Sequence, residues 1–353
     1  MRDAVRVRIA GALPLVVFLL GGFAVYASGQ SARPLRHRLS PVTDRAQGWH
    51  DDQTLVHDGT TRYFRFYVPA GLPDRPPVVF LFHGGTQSMR KIFRTAAGGT
   101  QTWQELADEE RFLLIVPNGT NAGTGDARGD DQNWNDCRAE PGGRDSRADD
   151  VGFSTALIDW ADREIGIDRG RVYATGASNG GGMTYRLAIA APERFAAVAV
   201  FIMNLAAGSE CGAPAHPVPI LICNGTADPL VPWGGGGVVR GRRGEVISAA
   251  DTLALWRQAD LATAPPVEVT RFPDISRDDG STVTCERFAP RAGGAEVVFC
   301  TVAGGGHTMP SREHPVPRWA RVLVGSQNQD VEGARVAWEF LRRHRLAGPP
   351  PRS

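Results

Sequence analysis

The chain has 353 residues, with 39 basic and 38 acidic side chains, 42 glycines, 25 prolines and five cysteines. That length allows two domains, or one large α/β domain with insertions, and either can bury a full core without a metal or a disulfide staple. A net charge of +1 with no long basic block gives no field that would gather nucleic acid, which speaks against a nucleic-acid partner.

The first residues differ from everything after them. Arg2, Arg6 and Arg8 precede an apolar run from Ile9 to Tyr26, and Ala27-Ser28-Gly29 offers small residues to a peptidase. This is the layout of a secretory signal over residues 1–29. The run is near the lower limit for a spanning helix, so residues 9–26 also fit an uncleaved membrane anchor. Both readings export the rest, secreted or periplasmic. Residues 30–49, rich in Arg, Pro and Ser, read as a linker.

From about residue 50 to 347, short apolar runs alternate with amphipathic stretches, the signal of one α/β domain with a mostly parallel central sheet and helices on both faces. Tyr63 to Val68 alternates as an edge strand would. Val78–Phe82, Phe112–Val116, Val172–Thr175, Ala196–Phe201 and Pro219–Cys223 are near-continuous apolar runs, as expected for strands covered on both faces. Phe153, Leu157, Trp160, Ala161 and Ile165 recur at helical spacing behind Asp149 and Asp150, and Met183, Leu187 and Ala191 form a second stripe before Pro192. Ser248 with Asp251 resembles a capping box for a helix through Trp256. Val331, Ala334, Trp338 and Leu341 predict a last helix, with Arg342, Arg343 and Arg345 suited to its C-terminal dipole. Residues 348–353, rich in proline, are expected to form a disordered tail.

Export changes how the cysteines are read, because an oxidising compartment permits disulfides. Thr282–Ala289 and Glu296–Ala303 flank Arg291-Ala292-Gly293-Gly294 as a hairpin would, which sets Cys285 opposite Cys300. Cys137 and Cys211, both in loops, are the candidates for a second bridge. Cys223 lies inside an apolar run and reads as a small buried hydrophobe. No Cys/His spacing predicts a metal site.

The sharpest chemistry lies at Thr175-Gly176-Ala177-Ser178-Asn179-Gly180-Gly181-Gly182. It contains Gly-x-Ser-x-Gly after an apolar strand and before an amphipathic helix, the context in which a serine sits on a strained turn as a nucleophile. A serine hydroxyl needs a base oriented by a carboxylate, and in this arrangement both follow it in chain order. Asp228 follows the strand ending at Cys223, and His307 follows the strand Val297–Val302. His314 is the rival base but follows no strand. Asp251 is the rival acid, but a first helical turn explains it. The oxyanion donors expected are the backbone N–H of Asn179 and an N–H of His83-Gly84-Gly85-Thr86, with Gly85 preferred over Thr86. His83 itself reads as a structural loop former.

These residues resemble the secreted polyhydroxybutyrate depolymerase and feruloyl esterase group of α/β-hydrolases. The resemblance rests on Leu81 to Ser88, Asn133-Trp134-Asn135-Asp136, Asp149 to Phe153, Thr175 to Gly182, Gly225 to Trp233 and Gly304 to Pro310. It implies the α/β-hydrolase fold and ester hydrolysis through Ser178, Asp228 and His307, with no cofactor and an ester as partner. Two positions depart from it. Cys223-Asn224-Gly225 stands where relatives have His-Gly, and Met309 stands where they tend to have Trp. The alternatives are an acyltransferase on the same scaffold and a non-catalytic module that binds cell wall or polymer. Short aliphatic esters, hydroxybutyrate oligomers, feruloyl esters and acetylated xylan all stay open as substrates. Loop 118–150 carries many carboxylates but matches no calcium-binding loop, so a solvated acidic loop is expected. Its length predicts that it overhangs the active site, where Trp134 and Trp233 are candidates for an aromatic platform.

Overall fold

The structure is a computed structural model, and it describes residues 45–93, 99–138, 146–239 and 242–346. The leader or anchor at 1–29, most of the 30–49 linker and the 348–353 tail lie outside the described residues. In chain order the strands are β1 (Gly48–His57), β2 (Thr60–Val68), β3 (Val78–Phe82), β4 (Leu113–Pro117), β5 (Val172–Ala177), β6 (Ala197–Phe201), β7 (Ile220–Gly225), the short β8 (Gly236–Gly237) and β9 (Glu245–Val246), β10 (Glu268–Arg271), β11 (Thr282–Phe288) and β12 (Val297–Ala303). The helices are α1 (Thr102–Glu110), α2 (Asp150–Glu164), α3 (Asn179–Ala190), α4 (Ala249–Ala259), α5 (Arg321–Val324) and α6 (Gly333–Leu341).

Among the described residues one sheet runs in the order β1-β2-β4-β3-β5-β6-β7-β12-β11-β10. Its middle, from β4 to β12, pairs in parallel. The flanking strands β1, β2, β11 and β10 are antiparallel. The apolar runs form this middle because it is covered twice. Along β3, Phe80 and Phe82 join the core that holds Leu157, Met183 and Trp256, while Val79 and Leu81 join the one that holds Trp103, Trp338 and Leu341. Each such side chain contributes about 1.5–3 kcal/mol on leaving water, so an all-apolar strand settles only where both faces are dry.

Two edges differ from expectation. Tyr63–Val68 is not an edge strand: β1 pairs outside it, with a bulge between His50 and Gln53. Strand β1 thus starts at Gly48, inside the stretch read as linker. Trp49 packs 5.2 Å from Tyr67 and 5.0 Å from Phe93, with the Arg65 guanidinium 3.6 Å over its ring. At the far edge, β10 is exposed along its length, and its Glu-Val-Thr-Arg carries no apolar alternation to find it by.

The expected caps and bridges are present. Ser248 caps α4, accepting from the Asp251 N–H at 2.9 Å. Cys285 bonds to Cys300 directly across β11 and β12, and Cys137 bonds to Cys211. Cys223 is unpaired and buried, which pushes its thiol up to about 12 and leaves it un-ionised at neutral pH. The arginines after α6 act as ion pairs: Arg342 with Glu339, Arg343 with Glu296 and Arg345 with Asp168. No described helix is long and apolar enough to cross a membrane.

Candidate active site

Ser178 occupies the single-residue turn between β5 and α3, with φ 57° and ψ −126°. A non-glycine residue takes that conformation only where its surroundings impose it. Here they do: Ser178 N–H donates to Phe201 O at 3.0 Å, and Gly182 N–H donates to Ser178 O at 2.9 Å. The flanking glycines allow the close approach, since a Cβ on Gly180 would collide with the carbonyls of Phe82 and His83.

Asp228 and His307 lie on the loops that follow β7 and β12, at the same end of the sheet. His307 Nδ1 is 2.7 Å from Asp228 Oδ2, with side chains 10% and 2% exposed. Asp228 Oδ1 also accepts from the N–H groups of Leu230 at 2.7 Å and Val231 at 2.8 Å. A carboxylate at Nδ1 holds the proton there, so Nε2 keeps its lone pair. Ser178 and His307 line one cavity of about 530 Å³. No hydrogen bond joins them directly, a looseness that such pairs show before reaction geometry tightens.

The N–H of Asn179 opens α3, where it has no partner within the helix. Gly85, which also lines the cavity, has an N–H with no acceptor among the described residues, whereas Thr86 N–H is engaged by Asn133 Oδ1 at 3.3 Å. That difference favours Gly85 over Thr86 as a donor to a substrate. His83 is buried beneath them, which pulls its pKa down to about 4. Its ring is 2.8 Å from Gly84 O through Nδ1, and Nε2 accepts from Gly119 N–H at 3.1 Å, so it is a neutral structural residue.

The rival groups are elsewhere. His314 sits 2.9 Å from Glu105, and Asp251 accepts a hydrogen bond from Ser248; neither lines the cavity. With Glu313, the first pair forms a surface cluster of metal-ligand type.

The aromatic platform is corrected. Trp134 is 2% exposed, packs on Phe82 and donates from Nε1 to His83 O at 2.9 Å, and Trp233 packs 5.9 Å from Phe299. Neither lines the cavity; Trp319, 72% exposed, does. Loop 118–150 does reach the site, through Asn133 and Arg138. It is not simply a solvated acidic loop. Asp150 is buried against Arg62 at 2.6 Å and Asp136 against Arg138 at 2.7 Å, while Asp130 accepts from Ser88 and Asp149 caps α2. Asp145 lies outside the described residues. The sequence reading missed Trp319, Asn133, Arg138 and Arg243 as cavity residues. A tryptophan after His-Pro-Val-Pro-Arg, with no periodic partners, was the available signal for the first.

A family model described as "Putative esterase" matches residues 59–265. The chain belongs to this esterase family. It is a carboxylic ester hydrolase with the α/β-hydrolase fold. The esterase is 29% identical over 320 residues to NocK of Nocardia uniformis subsp. tsuyamanensis, described in the same words, covering 86% of each chain. It is 33% identical over 166 residues to Feruloyl esterase B of Piromyces equi, covering 45% of this chain and 29% of that one. It is 29% identical over 209 residues to the Poly(3-hydroxybutyrate) depolymerase of Ralstonia pickettii, covering 55% and 37%. An acetyl xylan esterase from Aspergillus awamori superposes with a TM-score of 0.50 at 15% identity, covering 75% of this chain and 96% of that one, a likeness of fold alone.

Proposed function

We propose that this esterase is an exported serine hydrolase that works through an acyl-enzyme. His307 takes the proton of Ser178 as the serine oxygen attacks the ester carbonyl, and Asp228 holds the imidazole and stabilises its charge. The tetrahedral oxyanion is bound by the N–H groups of Asn179 and Gly85. His307 then protonates the leaving alcohol, and water, activated by the same histidine, hydrolyses the acyl-enzyme. The reaction asks for no cofactor. The observation that carries this reading is the 2.7 Å contact between His307 and Asp228 at a cavity that also exposes Ser178 on a strained turn.

The cavity lining combines apolar residues, among them Leu230, Val231, Trp319 and Leu323, with polar ones, among them Gln87, Asn133 and Arg243. This mixed lining suits an ester with an apolar body and polar substituents. Hydroxybutyrate-type oligomers and feruloyl or acetyl esters of plant cell wall both fit, and relatives named for such substrates support that range. Two disulfides support an oxidising compartment, in keeping with residues 1–29 as a signal or anchor. Residues 48–346 then form the catalytic domain.

Turnover of p-nitrophenyl acetate by a Ser178→Ala protein tests the assignment. Loss of at least about 10⁴-fold in kcat is expected from triad serines. Full retention defeats the proposal.

A further inference from the structure

One loop is bonded to both turns that carry the proposed oxyanion donors. On one side, Asn133 Oδ1 accepts from Thr86 N–H at 3.3 Å and Trp134 Nε1–H donates to His83 O at 2.9 Å, which fixes the His83–Thr86 turn around Gly85. On the other, Trp134 N–H donates to Asn179 Oδ1 at 2.7 Å, while Asn179 Nδ2 donates to Trp134 O at 3.0 Å and to Asp136 Oδ2 at 2.7 Å. The Asn179 side chain is therefore held at both its oxygen and its nitrogen. The residue cannot rotate without breaking buried bonds, one of them to a charge.

The loop is itself anchored from behind. Asp136 is gripped by Arg138 through Nε at 3.0 Å and Nη2 at 2.7 Å, with both side chains almost fully buried. Gly182 of α3 leaves the space that Asp136 fills. Arg138 Nη1 donates to Arg243 O at 2.7 Å, and Arg243 Nη1 returns to Asn133 Oδ1 at 3.2 Å. Between the paired residues stands Cys137, disulfide-bonded to Cys211 and accepting from Glu210 N–H at 3.2 Å. A buried ion pair costs desolvation and is weak evidence of stability. Its place here, one bond from the residue after the nucleophile, gives it another use.

We propose that Asn133–Arg138 is the positioning element of the oxyanion hole, and that the Cys137–Cys211 bridge is the clamp that sets it. This rests on the assignment of Ser178 as nucleophile and of Asn179 and Gly85 as donors. Oxyanion donors act by being fixed before charge develops, so small displacements cost rate and leave ground-state binding almost untouched.

The test uses Asp136→Asn and the double variant Cys137→Ser/Cys211→Ser, with p-nitrophenyl acetate as substrate and phenylboronic acid as a probe that forms a tetrahedral adduct on a serine. Thermal melting and near-ultraviolet circular dichroism report folding. Each variant is expected to lose about tenfold or more in kcat with KM within about twofold, and to lose boronate affinity in step. A folded variant with unchanged kcat overturns the proposal, as does a fall in kcat with boronate affinity intact. Should Asp136→Asn fail to fold, the cysteine variant decides, because it removes none of the side chains that hydrogen-bond within the network. A Ser178→Ala protein that still turns over would defeat the underlying assignment instead, an outcome separate from either.

Discussion

Gly180 shows how little freedom the turn at Ser178 has. A methyl group there would meet two backbone carbonyls at the end of β3, which cannot swing aside as a side chain can. Gly180→Ala is expected to cost about 1–3 kcal/mol through overpacking and to lower activity further by displacing the turn, as thermal melting and p-nitrophenyl acetate turnover would register. Trp319 is the opposite case. Being largely exposed at the cavity mouth, it supports the fold little, so Trp319→Ala should leave the melting temperature unchanged. It should raise KM for an aryl ester severalfold, a loss of about 1 kcal/mol of aromatic contact, with kcat almost constant. The positions of Ser178, Asp228 and His307 were legible because each follows a strand whose apolar run is unmistakable. Trp134 was misjudged because a buried indole and a substrate platform look alike in sequence; what separates them is the carbonyl of His83, brought to its N–H by the fold.

Among the elements, the β11–β12 hairpin was readable in register, because β-branched runs on either side of a Gly-rich turn fix which residues face each other. β1 and β10 were not. Both are edge strands that carry charge, and β1 is interrupted by a bulge, so neither has the period-2 apolar pattern that marks a buried strand. The bridge between Cys285 and Cys300 spans 15 residues of sequence, and a loop of that length corresponds to about 3 kcal/mol of unfolded-chain entropy. Cys285→Ser/Cys300→Ser is therefore expected to melt several degrees lower in calorimetry and to keep its kcat at 25 °C. That outcome contrasts with the loss of kcat expected on removing the Cys137–Cys211 bridge, which lies beside the site.

For the molecule as a whole, two buried groups set opposing pH dependences. Asp260, at the C-terminal end of α4, accepts from Val218 N–H at 2.9 Å through Oδ1, but Oδ2 has no partner among the described residues. Burial pushes its carboxyl up to about 8. The folded state thus keeps a proton that the unfolded chain releases near pH 4, and this contribution to stability is lost as pH rises from about 4 to about 8. His83, pulled down to about 4, does the reverse: the unfolded chain gains a proton below about 6.5 that the folded state refuses until about 4. Above about pH 6.5 only the first of these two operates. The melting temperature of Asp260→Asn, measured against the parent protein, should therefore gain on it steadily between pH 6.5 and 8. A constant difference across that range would show that Asp260 is already ionised in the fold.

The central claim is that Ser178 is the nucleophile of this esterase, activated by His307. Peptide mass mapping after incubation with a fluorophosphonate tests it most directly. A single adduct is expected, on Ser178, forming far more slowly in a His307→Ala protein. A preparation that hydrolyses esters while Ser178 stays unlabelled would contradict it.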